Sequence, residues 1–292
     1  MHSKSGIGIF REQQIAIMKD AWFRIWMYVR HQFRSWNTGG EGIHSPYLFY
    51  LVRMLIYDEN RYYSWRDIEQ QRRALLRSDK EIEVTDYGTG KDRKSGRKVR
   101  EISKHCLGLP LEGEVMYRLI AYMSHELKRP LRIVELGTCF GITTSYLAMA
   151  DSRNEVETYE GSEAIAAIAK DVWRKLGVRN IRLVPGNIDE TLYKRAYAER
   201  AREAQENRAI DFAFIDANHT KEATLRYFDE LSREKTESSV FILDDIYYSR
   251  GMAEAWREIC AREDVTTTMD FYHFGMVFFD PHYLKRHYRL RI

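Results

Sequence analysis

Cysteine is scarce in this 292-residue chain: Cys106, Cys139 and Cys260 are odd in number, far apart and in no metal-binding spacing. The scarcity predicts reduced thiols, no disulfide and a cytoplasmic protein. No apolar run approaches the roughly 20 residues that cross a bilayer. The opening M-H-S-K-S-G-I-G-I-F-R has neither the apolar stretch nor the cleavage site of a secretory signal. The G-x-G-x-x-G of dinucleotide folds and the Lys-Ser/Thr of a phosphate-binding P-loop are absent as well. What remains, 44% hydrophobic and 30% charged residues, is the composition of a soluble globular protein with a sizeable core.

The net charge of +3 is uneven, with an excess of six basic residues up to His125 and of three acidic ones beyond it. A basic N-terminal third suits either a solvated surface or an anionic partner, nucleic acid or membrane.

The most informative stretch is Leu131 to Ala150, L-R-I-V-E-L-G-T-C-F-G-I-T-T-S-Y-L-A-M-A. An apolar strand ends at Glu135, a glycine-spaced turn follows, and a helical pattern begins at Ile142. Gly137 and Gly141 let the backbone pass close to a ligand, where a Cβ would collide or forbid the φ needed.

Upstream, Arg11 to Trp36 spaces Ile15, Met18, Trp22, Ile25, Trp26, Val29 and Phe33 as an amphipathic helix, with Lys19, Arg24, Arg30 and Arg34 among its polar positions. Such a helix docks on its own core, lies on a membrane surface or forms a dimer. Asn37 to Pro46 reads as a loop carrying His44, followed by helices at Tyr47–Tyr57 and Trp65–Ser78. Ile82 to Gly90 imitates a strand and glycine turn, but the six Lys/Arg among Lys91 to Arg100 cannot form an apolar helix that packs back. They read as an exposed basic loop, a potential lid, or an RNA-binding segment without interleaved aromatics. Val99–Leu107 and Gly113–Leu127 read as helices.

From Leu131 onward strands alternate with helices: strands at Glu155–Glu160, Ile181–Val184, Ile210–Ile215 and Ser239–Leu243, helices at Ser162–Leu176, Glu190–Asn207, Thr220–Ser232 and Tyr247–Ile259. The tail from Thr266 to Asp280 adds two strands. This rhythm predicts an α/β fold with a doubly wound parallel sheet and a ligand at the carboxyl ends of the strands. Glu135, Glu160, Asn187, Asp216 and Asp244 fall at those ends, where a carboxylate one strand after the glycine turn would reach two ribose hydroxyls. Each also suits a helix cap or turn.

The motif E-L-G-T-C-F-G-I-T-T-S resembles motif I of class I S-adenosylmethionine (SAM) methyltransferases, in the form used by catechol-type small-molecule O-methyltransferases. The wording D-D-I-Y-Y-S-R-G-M-A-E-A-W extends the resemblance over nearly the whole chain to bacterial members with helical N-terminal extensions. It implies a Rossmann-like, mostly parallel seven-stranded sheet with an antiparallel C-terminal end, a helical extension over residues 1–112 and a SAM-binding domain over 113–292. By that similarity Glu135, Gly137 and Gly141 shape the methionine pocket, Thr143 lies near its carboxylate, Glu160 holds the ribose, and Gly186 and Asn187 flank the adenine. Thr138, Cys139, Gly161 and Asp216 complete the cofactor contacts.

The same resemblance makes Asp216, Asp244 and Asp245 the ligands of a divalent metal, magnesium by its oxygen donors. Asp245 stands where the family usually has Asn, and His219 where it has Lys. His219 is accordingly the candidate general base, beside Asp216. The function implied is O-methylation of a small-molecule hydroxyl. An RNA or protein methyltransferase using the basic segment, and a binding module without catalysis, are the alternatives.

Overall fold

The computed structural model describes residues 20–35, 43, 45–58, 60–86, 93–194 and 209–291. His44, Lys91 and parts of the stretches at 11–36 and 190–207 lie outside them. An N-terminal helix α1 (residues 20–34) is followed by α2 (Pro46–Tyr57), α3 (Tyr63–Leu76), strands β1 (Glu81–Asp86) and β2 (Arg93–Lys98), α4 (Val99–Cys106) and α5 (Pro110–Leu127). The alternating part runs β3 (Arg132–Leu136), α6 (Ile142–Met149), β4 (Glu155–Glu160), α7 (Glu163–Leu176), β5 (Ile181–Pro185), α8 (residues 188–194), β6 (Ile210–Ile215), α9 (Lys221–Ser232), β7 (Lys235–Asp244) and α10 (Arg250–Ala261). It closes with β8 (Thr267–Asp270), β9 (Phe274–Phe278) and β10 (Arg286–Arg289).

Eight of these strands form one sheet in the order β10-β8-β9-β7-β6-β3-β4-β5, parallel except where β9 runs against β7 and β8. The expected mostly parallel α/β sheet is present, with eight strands in place of seven. The additional strand, β10, pairs parallel with β8; its R-H-Y-R buries only Tyr288 and shows no apolar alternation to announce it.

The central strands are apolar at successive positions because both faces are covered. Phe212, Phe214, Val240 and Ile242 point to the α2/α5 side, in one core with Leu48, Leu51, Val115 and Leu119. Ala213, Ile215, Phe241 and Leu243 alternate to the other side, against Phe228 and Leu231 of α9 and Trp256 and Ile259 of α10. A third cluster packs Trp65, Ile68, Ile82, Val84 and Val99 of the N-terminal segments onto Phe140, Tyr146 and Trp173.

The basic stretch expected to be a loop is in part a strand. β2 pairs antiparallel with β1, setting Glu81 opposite Lys98 and Asp86 opposite Arg93. Ile82 and Val84 of β1 are buried, which anchors the hairpin on the core. The expectation of no disulfide is also corrected: Cys106 and Cys139 are joined, their Cα atoms 6.5 Å apart. The end of α4 lies over the glycine turn, bringing together residues 33 positions apart.

Helix α1 is docked through one face. Met27 joins the α9/α10 core, the Tyr272 hydroxyl donates to the Arg24 carbonyl at 2.8 Å, and Arg291 holds Ser35 at 2.9 Å. The anchor is Asp270, fully buried, with His31 Nε2 3.2 Å from one oxygen and His287 and Arg289 each 3.7 Å from the other. Burial alone would raise this carboxyl, but donors from His287, His31 and Tyr247 hold it well below its ordinary value. Its stabilising contribution is therefore present above the unfolded value near 3.8 and is lost as pH falls through the lower folded value. Asp270→Ala should lower the unfolding free energy by about 3 kcal/mol, since it leaves buried donors without their acceptor. Urea denaturation measures the loss, and limited proteolysis should then cut at α1 first.

Candidate active site

The turn after β3 is built by close approach of backbone to backbone. Gly137 has φ +100°, and a Cβ there would sit 1.9 Å from the carbonyl oxygen of Asp216 at the end of β6. The amides of Gly137 and Thr138 donate to the Tyr159 carbonyl of β4, and that of Asp216 donates to Leu136 at 2.9 Å. Gly141, at φ +73°, leaves room for the Trp173 indole, whose N–H donates to its carbonyl at 3.0 Å. Both glycines are thus required by contacts, as the spacing predicts.

Around this turn the strand ends enclose a cleft of about 510 Å³ lined by Gly137, Cys139, Glu160, Asp216, His219, Asp244 and Asp245, with His273 beyond β8. The α4–α5 segment forms its cover through His105, Cys106 and Glu112. A smaller cleft of about 260 Å³ shares Glu160, Ile102 and Ile165 and continues to Gly161, Asn187, Ile188 and Tyr227, with Val84 and Arg97 of the β1–β2 hairpin closing over it. Glu160 stands where the two meet.

Glu160 is held rigidly, one oxygen accepting from the Cys139 amide and the other from the Ser162 amide, each at 2.9 Å. Burial pushes its carboxyl up to about 7, against those donors, with Asp216 adding repulsion. Asn187 faces the smaller cleft, while its side-chain oxygen accepts from the Asp189 amide at 3.0 Å.

Glu135 lines neither cleft. It lies fully buried beneath the turn, accepting from the hydroxyls of Thr144 and Thr158, with Oε1 left without a partner. Thr138 is also buried, bonded to Thr158 at 2.6 Å. Gly141 and Gly186 lie in the turns and Thr143 in the first turn of α6, and none of them lines either cleft.

The carboxylates crowd one another. Burial lifts Glu112 to about 7, reinforced by Asp216 and Asp245, and lifts Asp244 well above the carboxylate range with help from Asp216, Asp245 and Glu112. His219 Nε2 lies 3.3 Å from Asp216 Oδ1. Burial disfavours its charged form, but the bond to Asp216 and the charges of Asp216 and Asp245 outweigh this and raise its pKa. Asn218, His219 and Asp245 all adopt positive φ, so the loops after β6 and β7 are strained where they meet the cleft. Glu112 was not legible as a site residue, since an acid in the first turn of a helix is an ordinary cap. Its amide partner Leu109 confirms the cap and leaves the same carboxylate facing the cleft.

Asp216, Asp244 and Asp245, expected to hold a metal, do reach one cavity. Among the described residues, however, no three His, Cys, Asp or Glu side chains converge as a metal ion requires. In this arrangement they do not fit a divalent cation.

The sheet order and the strand-end cleft define the class: a methyltransferase fold. Residues 134–246 match the family model described as a methyltransferase domain. That span runs from within β3 to the residue pair after β7 and includes the ends of β3, β4, β5, β6 and β7. No curated protein matches. Among solved structures, an O-methyltransferase from Bacillus cereus in complex with SAH is 19% identical, covering 78% of this chain and 95% of its own, with a TM-score of 0.51. The O-methyltransferase TomG from Streptomyces achromogenes, in complex with SAM, is 17% identical over 79% and 94%, with a TM-score of 0.51. An SAH-bound methyltransferase of Podospora anserina is 12% identical over 82% and 96%, with a TM-score of 0.53. Likeness at these identities establishes the fold.

The buried carboxyls make stability depend on pH. Glu135 is pushed up to about 8 by burial, against its ordinary 4.5. The folded chain then binds more protons than the unfolded one between about pH 5 and about pH 8, and stability falls as pH rises through that window. Glu135→Gln should remove up to roughly 4 kcal/mol of this fall. Denaturation midpoints at the two ends of the window should converge in the variant; an unchanged separation would place the dependence elsewhere.

Proposed function

We propose that this chain transfers the methyl group of SAM to a hydroxyl oxygen of a small molecule. The observation that carries the reading is Glu160, rigidly held at the junction of the two clefts and one strand from the glycine turn. A ribose at that junction donates two hydroxyls to Glu160, whose oxygens each retain accepting capacity. The adenine then occupies the smaller cleft between Ile188, Tyr227 and the hairpin, and the methionine runs past Gly137 into the larger one. That similar O-methyltransferases are in complex with SAH and SAM supports SAM as the ligand.

The crowded carboxylates suit a sulfonium. A cation beside Asp216, Asp244 and Glu112 relieves the repulsion that raises Glu112 and Asp244. Asp216 orients His219 through Nε2, leaving Nδ1 to accept a proton. The acceptor oxygen attacks the methyl carbon in line as its proton passes to His219. The carbon–sulfur bond breaks, and sulfur keeps the electron pair as a neutral thioether. No step in this sequence uses a metal.

Calorimetry should detect binding of both SAM and SAH, weakened about 10- to 100-fold by Glu160→Ala through loss of charged hydrogen bonds. Absence of binding by the unaltered chain would overturn the reading. In assays against hydroxylated small molecules, His219→Ala should lower kcat about 100-fold while SAM affinity holds. The same activity should persist in chelator; loss restored by magnesium would mean that the three aspartates regroup around the ion.

A further inference from the structure

α1, α10 and β10 enclose a second cavity of about 430 Å³, lined by Tyr247 two residues beyond Asp245 of the strand-end cleft. Its walls carry Arg30, Arg34, Arg250, Arg257 and Arg289. Arg289 is 3.7 Å from the buried Asp270, whereas no carboxylate among the described residues lies within ion-pair distance of the other four. The acid in the wall, Glu254, is already taken by Lys221 at 3.3 Å. Two of the guanidinium groups are held over aromatic rings, Arg30 over Trp26 at 5.1 Å and Arg250 over Phe23 at 5.4 Å. This is a concentration of cation arranged for an anion.

The same helix turns an apolar stripe outward. Trp22, Ile25, Trp26, Val29 and Phe33 recur at i, i+3, i+4, i+7 and i+11, one face at 3.6 residues per turn, and Trp22 and Phe33 are 70% and 84% exposed. Arg30 and Arg34 follow along the cavity-side margin of that stripe, so the apolar face and the arginine cavity share an edge.

We propose that α1 and this cavity form a docking surface for an anionic phospholipid membrane. The stripe lies among the acyl chains, tryptophan at the interface, and a headgroup phosphate enters the arginine cavity. Charge complementarity selects this occupant. A second copy meeting the stripe about a two-fold axis would bring the two arginine sets together, with the wall acid Glu254 already paired with Lys221. A soluble phosphoester fills the cavity but leaves the stripe in water.

The test is co-sedimentation of the full chain with vesicles of phosphatidylcholine alone or mixed with phosphatidylglycerol. The expected result is binding to the mixed vesicles only, weakening as salt rises. Arg34→Glu with Arg257→Glu, and separately Trp22→Ser with Phe33→Ser, should each lower it by about 10-fold or more. All four side chains are exposed, so both variants should keep the melting temperature of the parent. Equal binding to both vesicle types, or binding indifferent to either pair, overturns the proposal. So does a dimer in light scattering that Trp22→Ser with Phe33→Ser dissolves, or binding of glycerol phosphate without binding of vesicles.

Discussion

The site depends on one steric constraint: the exits of β3 and β6 pass so close that Gly137 has no room for a side chain against the Asp216 carbonyl. The approach follows from strand order. β3 and β6 are neighbours in the middle of the sheet although β4 and β5 intervene in sequence, so the chain must leave the sheet in opposite directions at that point. A crevice opens where it does. Everything that lines the cleft from the sheet side is a residue at or just beyond a strand end, aimed by the pleat of the strand before it.

Gathering so many carboxyls at one crevice has an electrostatic cost, visible in the upward displacement of Glu112, Glu160 and Asp244. The fold tolerates it because backbone amides and helix starts supply donors, as Cys139 and Ser162 do for Glu160. An empty cleft of this kind is a poor solvent for more negative charge and a good one for a cation.

The parallel core was legible because its strands show as alternating or apolar stretches ending in acids: Glu155–Glu160 and Ile210–Ile215 have the bounds expected of them. The glycine turn was legible because contact forces the residue type. Legibility failed wherever pairing rather than burial makes structure. β2 is a strand because β1 lies opposite, and β10 because β8 offers an open edge. The disulfide partners became visible only once α4 was laid over the turn. Glu135 carries the motif's signature yet lies under the turn, since hydroxyls of Thr144 and Thr158 draw it inward.

β10 also finishes the sheet. Its residues are Arg286, His287, Tyr288 and Arg289 rather than an apolar ladder, while the opposite edge, β5, carries Arg182 and ends at Pro185. Charged side chains and a missing amide are poor templates for another strand. Growth of the sheet from copy to copy is blocked at both margins, so contacts with other macromolecules fall to the helical faces.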